Sequence, residues 1–264
     1  MRLRVGADAV KASAHAGWPR ATTLVEAWRA VASPARVATD PSAHAPEIDA
    51  ALAELGSRMP LDGARLEVHL ASALLHFDVV EGDFGAQTDR QLQGVAAACV
   101  SEMLGDEAAG RAVRWHLQDD DRHLLIVALA QAWIETLQSA ATATGLRLAS
   151  VQPALVARWN ESGKAMKPGM GVFAACDPRD LAIAAVADGA IAAISVGDGV
   201  ELSVGPGAAG RRGMAAVDDR VDRFLSARGQ DPEAQSSFVL VAPHRNADAA
   251  STRWSVIASP EMRP

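Results

Sequence analysis

The chain has 264 residues, of which 49% are hydrophobic and 22% charged, enough apolar material for one large domain or two small ones and too much for a disordered chain. With 25 Lys and Arg against 32 Asp and Glu the net charge is −7, which argues against non-specific nucleic-acid binding, where clustered cations must displace counterions. Two cysteines, Cys99 and Cys176, are too few for a disulfide framework or a four-cysteine metal site, and there is no Tyr.

The amino terminus, MRLRVGADAVKASAH, lacks a signal-peptide apolar run, no stretch is long enough to span a bilayer, and a soluble cytoplasmic protein is expected. LRVGAD and VKASAH read as a strand hairpin. Residues Thr22 to Val31 place Leu24, Val25, Trp28 and Val31 on one helical stripe behind a Thr cap, so a helix is expected there, followed by a short strand in ARVAT. Glu47 to Arg58 gives a second helical stripe through Ile48, Ala51, Leu52 and Leu55. Arg65 to Val80 alternates as two strands or one bulged strand, and Gln87 to Leu104 is helical behind Thr88 or Asp89, with Gly105 as its stop. AVRWHLQ, the turn DDDR and HLLIVALA form a hairpin whose second strand is apolar on both faces and so belongs at the centre of a sheet.

Ala132 to Thr144 is a further helix ended by Gly145, and LRLASVQPALVARWN is a strand running into a helical turn. GVFAACD, LAIAAVAD and AIAAISVGD are hairpin-linked strands. They are followed by VELSVG, a helix from about Met214 to Ala227, and the strands SSFVLVAP and RWSVIAS. Strands, helix and strand thus occur twice, the skeleton of a duplicated α/β unit, with residues 1–150 and 151–264 as the expected halves packed across a cleft.

Few motifs carry chemistry. Gly205-Pro-Gly207-Ala-Ala-Gly210 matches G-x-G-x-x-G, but the next strand ends in Pro243, His244 and Arg245 rather than an acid for a ribose, so Gly205 to Gly213 reads as a mobile Gly-rich loop. The seven histidines lack converging ligand spacings, and no metal is expected. Asp119-Asp120-Asp121 is a turn whose carboxylates satisfy local amides. No nucleophile elbow or Walker pattern is present. Five tryptophans (28, 115, 133, 159 and 254) fall on expected elements and are assigned to packing, leaving Trp18 as the exposed one.

The order of elements, and most specifically the stretch Val113 to Asn160, resembles the actin-like ATPase superfamily, above all the type IV pilus protein PilM and the cytoplasmic domain of the type II secretion L protein. The resemblance implies a duplicated ribonuclease H-like α/β fold, two mixed sheets flanked by helices around a central cleft. It also implies a nucleotide held between two hairpins. The first should read Gly-x-Asp-x-Gly-Ser-Ser-Ser-x-Lys; here Gly6, Asp8 and Lys11 align but the Gly-Ser-Ser-Ser is missing. The second should carry Asp-x-Gly; here Asp177 is followed by Pro178 and Arg179. The adenosine-side Gly-Gly is replaced by Ala242-Pro243-His244. If nucleotide binding were kept, Asp8, Lys11 and Asp177 would hold Mg-ATP. With all three contacts degraded, the resemblance implies no cofactor and a non-catalytic scaffold at the inner membrane that docks the short cytoplasmic peptide of a membrane partner in a pilus or secretion assembly. The alternative is an ATPase or small-molecule kinase with a rebuilt phosphate site.

Overall fold

A computed structural model describes residues 1–16, 22–31, 40–177, 179–200, 208–242 and 253–258. Contacts divide the chain into two compact units. One comprises Met1–His76, Leu104–Ala112 and Ala128–Ala154, the other Phe77–Met103, Val113–Val127 and Leu155–Pro264.

The first unit opens with β1 (Arg2–Val5), β2 (Ala9–Ala16) and β3 (Thr22–Ala30), an antiparallel meander in which Lys11 faces Trp28 and Val10 faces Arg29. The expected helix over Thr22 to Val31 is therefore a strand. Its short apolar run satisfies both a 3.6 and a 2.0 period, and β-branched Thr22, Thr23 and Val25 with an aromatic beside them favour the extended form once β2 offers a ladder. The consequence reaches Trp28: it is 60% exposed, not packed, because the strand buries Ala27 and turns the neighbouring side chain to the other face. The positions expected for the ARVAT strand and for Trp18 lie outside the described residues.

Helix α1 (Ala45–Arg58) follows, with Glu47 in its first turn and Arg58 in its last, each complementing the helix dipole. β4 (Arg65–Leu70) runs parallel to β1, and β8 (Arg147–Pro153) parallel to β4, giving the order β3-β2-β1-β4-β8. Leu3, Val5, Val10, Ala12, Leu66, Val68 and Leu70 alternate onto one buried face of this sheet. Ile48, Leu52 and Leu55 of α1 are buried with them, as are Trp133, Leu137 and Ala141 of α3 (Gln131–Ala143). Gly145, at φ 70°, takes the left-handed conformation that ends α3.

Between β4 and β8 the chain forms β5 (His76–Glu81), α2 (Asp89–Leu104), β6 (Arg111–Leu117) and β7 (His123–Ala130), and the three strands pair in the order β5-β7-β6. β7 is central, as its two-sided apolar pattern requires.

The second unit repeats the topology. β9 (Met170–Asp177), β10 (Asp180–Ala187) and β11 (Ala190–Gly197) form a meander, β12 (Ser237–Ala242) lies parallel to β9, and β13 (Ser255–Ala258) parallel to β12, in the order β11-β10-β9-β12-β13. Here both sheet faces are buried. Val217, Val221 and Leu225 of α5 (Ala208–Ala227), at i, i+4 and i+8, pack with Val172, Ala174, Ile183 and Leu240 on one side. Leu155 and Trp159 of α4 (Ala154–Ser162) pack with Phe173, Ala184 and Val239 on the other. α5 begins six residues before the expected Met214, so Ala208 to Gly213 are helical rather than part of a Gly-rich loop; Gly205 to Gly207 lie outside the described residues. β13 is closed onto α5 by Trp254, whose indole N–H donates to Asp218 at 2.6 Å, and by Arg253, which lies 3.8 Å from the Phe238 ring centroid and pairs with Asp222 at 2.7 Å.

Trp133 is fully buried, and its indole nitrogen has no hydrogen-bond partner among the described residues. Trp133→Ala is expected to lower stability by about 3–5 kcal/mol in denaturant unfolding, while Trp133→Phe, which removes the unpartnered donor and keeps most of the volume, should cost clearly less.

Candidate functional site

The residues aligned with nucleotide contacts sit at two hairpin turns, one in each unit. In the first unit, Gly6 to Asp8 join β1 to β2. The Gly6 N–H donates to the Ala9 carbonyl at 2.7 Å, and the Asp8 carbonyl accepts from Val31 at 2.7 Å. Lys11, on β2, pairs with Glu26 of β3 at 2.9 Å, so its ammonium is held along the meander. The outer carbonyl of Gly6 accepts from His44 Nε2–H at 2.8 Å. His44 is fully buried, its ring 5.2 Å from that of Trp133, and its Nδ1 is enclosed without a partner among the described residues. A proton there would place a charge in an apolar pocket. Burial accordingly pushes the imidazole below its ordinary value, opposed in part by the bond to Gly6 and by the charges of Asp8 and Glu47.

In the second unit Asp177 ends β9, opposite Asp180 at the start of β10. Arg158 of α4, only 4% exposed, places its Nη2 at 2.8 and 2.7 Å from the two oxygens of the Asp177 carboxylate. A buried guanidinium cannot lose its proton, so the carboxylate beside it supplies the compensating charge. The backbone of the same turn is also covered. A Cβ built on Gly199 would lie 2.3 Å from the amide nitrogens of both Arg179 and Asp180 and 2.4 Å from the Asp177 carbonyl oxygen, so the bare backbone of Gly199 rests on the turn. Beside it the Cys176 thiol donates to the Val200 carbonyl at 3.3 Å, and burial raises its pKa to about 11. At neutral pH Cys176 is a protonated donor, not a nucleophile.

These residues do not suit a magnesium–nucleotide. Asp177 would have to leave Arg158, and the amides of Arg179 and Asp180 already face Gly199. Ala242, at the aligned adenosine position, is buried in β12, while Pro243 and His244 lie outside the described residues. Among the described residues no group of three His, Cys, Asp or Glu converges as a metal site. Sequence reading missed Arg158, His44 and Gly199. Arg158 left a signal, since it lies at i+3 from Leu155 on the buried stripe of α4, where a cation demands a partner.

Two units with the same strand order, each a three-stranded meander extended by two parallel strands and flanked by helices, define the duplicated ribonuclease H-like architecture of the actin-like fold. Solved structures share it. The cytoplasmic domain of EpsL, an inner-membrane component of the type II secretion system of Vibrio cholerae, is 14% identical over 99% of this chain and 90% of its own, with a TM-score of 0.57. The PilM–PilN type IV pilus biogenesis complex matches at a TM-score of 0.61, 14% identical over 90% of this chain and 79% of that one. A Bacteroides thetaiotaomicron protein with an actin-like ATPase fold and unknown function matches at 0.54, 9% identical over 93% and 82%. No family model matches the sequence, and no curated protein does.

Two outcomes test this geometry. Gly199→Ala should destabilise the protein by about 3 kcal/mol, the upper end of ordinary overpacking, because the added carbon meets backbone rather than a side chain that can move. Chemical denaturation of the variant measures it. The lowered value of His44 means that the unfolded chain takes up a proton before the folded one does. Stability is therefore full above the unfolded value of about 6.5 and falls as pH drops below it. His15 and His76, both lowered chiefly by burial, act in the same direction. His44→Gln, which keeps a donor without titrating, should flatten part of the dependence of melting temperature on pH between about 7 and 5.

Proposed function

We propose that the chain is a non-catalytic scaffold of actin-like fold that works on the cytoplasmic side of the inner membrane, docking the cytoplasmic peptide of a membrane-anchored partner in a type IV pilus or type II secretion-like assembly. One observation carries the non-catalytic half of this reading: the acid aligned with the metal-organising position, Asp177, is engaged through both oxygens by buried Arg158. Guanidinium and magnesium compete for the same carboxylate, and expelling a buried arginine leaves its charge unpaired, at a cost of about 3–5 kcal/mol. The backbone of Gly199 against the turn amides adds to it, since those donors would have to cradle phosphate oxygens.

The adaptor half draws on the solved structures. EpsL is described as an inner-membrane component of a secretion system, and PilM is found in complex with PilN. Among the described residues no helix of this chain is long and apolar enough to cross a membrane.

Thermal melting with and without Mg-ATP separates the scaffold from an ATPase or small-molecule kinase with a rebuilt site built on Asp8, Lys11 and Asp177. A nucleotide at a hundred times its dissociation constant would stabilise the fold by about 2.7 kcal/mol. No shift is expected; a reproducible rise in melting temperature would overturn the non-catalytic reading. Affinity capture from detergent-solubilised membranes of the source organism should recover a membrane-spanning protein with a short cytoplasmic segment, and its absence from repeated captures would overturn the adaptor reading.

A further inference from the structure

The second unit contains a pocket of about 440 Å³ that the degraded nucleotide positions do not touch. Its walls come from the end of β6 and the turn after it, from α4, and from the β10–β11 turn. The side chains of Leu125, Val156, Trp159 and Ile191 line it together with Asp119 and Asp188. Trp159 is fixed edge-on against Phe173, ring centroids 5.2 Å apart, so it presents a rigid apolar wall. Gln118, buried beneath the turn, donates through Nε2 to the Ile191 carbonyl and accepts the Ile191 N–H, both at 2.7 Å, which ties the β6–β7 hairpin to the start of β11.

Charge in the pocket is one-sided. Asp120 is spent on its own turn, accepting from the amides of Arg122 and His123 at 3.1 Å and from the His123 ring. Asp119 and Asp188 are both exposed and make no ion pair among the described residues. His116 is the single basic side chain among the residues that line the pocket. An apolar wall bearing a tryptophan under two unpaired carboxylates complements a segment that offers an aliphatic side chain next to a cation. Strand addition is not the mode here, because Gln118 already holds the backbone groups of Ile191; recognition falls to side chains.

From this geometry we infer that the pocket takes the basic, membrane-proximal flank of the partner's cytoplasmic segment, with an aliphatic side chain against Val156 and Trp159 and Lys or Arg between Asp119 and Asp188. The inference rests on the adaptor reading above and names the surface and the chemistry it left open. The physical link is the excess of Lys and Arg on the cytoplasmic side of membrane helices, which places cations within a few residues of any bitopic partner's bilayer exit.

The test uses the full chain and a fluorescein-labelled synthetic decapeptide carrying two leucines and two arginines in a Gly/Ser frame. Asp119→Asn/Asp188→Asn preserves shape, and Asn tolerates the left-handed backbone of residue 188, at φ 48°. Loss of two exposed ion pairs should weaken peptide binding by about fivefold to tenfold. The control Glu102→Gln/Asp106→Asn, with the same net charge but its changes at exposed positions that do not line the pocket, should bind as the wild type does. Equal binding by the pocket variant and the wild type, equal weakening in the control, or equal binding of a peptide with glutamates in place of the arginines would each overturn the proposal. The same variants are then used in the membrane capture. Recovery of a membrane partner by the wild type and the control but not by the pocket variant supports the proposal. Recovery by all three overturns it while the adaptor reading stands, and recovery by none overturns the adaptor reading itself.

Discussion

A guanidinium with 4% of its surface exposed must have its charge met within the protein, and the organisation of the second unit's upper turn follows from how Arg158 meets that demand. Its partner is the last residue of β9, so α4 is tied to the end of that strand by a contact from one guanidinium nitrogen to both carboxylate oxygens as well as by apolar packing. Such a pair adds little net stability compared with an apolar replacement, but it penalises any arrangement in which either charge is left alone. It therefore fixes this hairpin end, where both oxygens of the Asp177 carboxylate are engaged by Arg158.

Covering that turn with Gly199 completes the same logic. Any residue but glycine there would have to displace the turn, because its Cβ would meet the backbone of Asp177, Arg179 and Asp180. The adjacent Cys176 thiol and Val200 carbonyl are satisfied by each other. In the first unit the equivalent hairpin is closed by its own Gly6 to Ala9 hydrogen bond and braced from outside by His44. Both turns thus keep the fold's geometry while the Asp177 carboxylate, the Gly6 amide and carbonyl and the Cys176 thiol are engaged within the protein.

The two sheets share strand order and differ in composition. β9 and β10 are buried on both faces and built largely from Ala, Val and Ile, so α4 and α5 can each approach closely. In the first unit the strands alternate instead: the face with Leu3, Val5, Val10 and Ala12 is buried, and Arg2, Arg4, Lys11, Glu26, Glu67 and Trp28 lie on the opposite face by register. The same topology thus tolerates a two-sided and a one-sided hydrophobic pattern, because sheet pairing depends on backbone groups while the side-chain period decides only what each face meets.

Much of this was legible in the sequence. Periodicity placed α1, α2, α3 and every described strand of the second unit, since long amphipathic or β-rich runs have one dominant period, and the repeated order of elements pointed to duplication. It failed at Thr22 to Val31, where ten residues satisfy helix and strand alike and only the ladder offered by β2 decides between them; the exposure of Trp28 follows from that decision. The missing Gly-Ser-Ser-Ser and Asp-x-Gly motifs were visible as absences. What fills those places was not, because Arg158 meets Asp177 across 19 residues, His44 meets Gly6 across 38, and Gln118 meets Ile191 across 73. The sequence by itself determined which segments are amphipathic and which signature residues are lost, both of which are local properties of neighbouring side chains. The tertiary structure alone decided which charges and backbone groups are spent on one another, because that depends on distances between residues the chain keeps far apart.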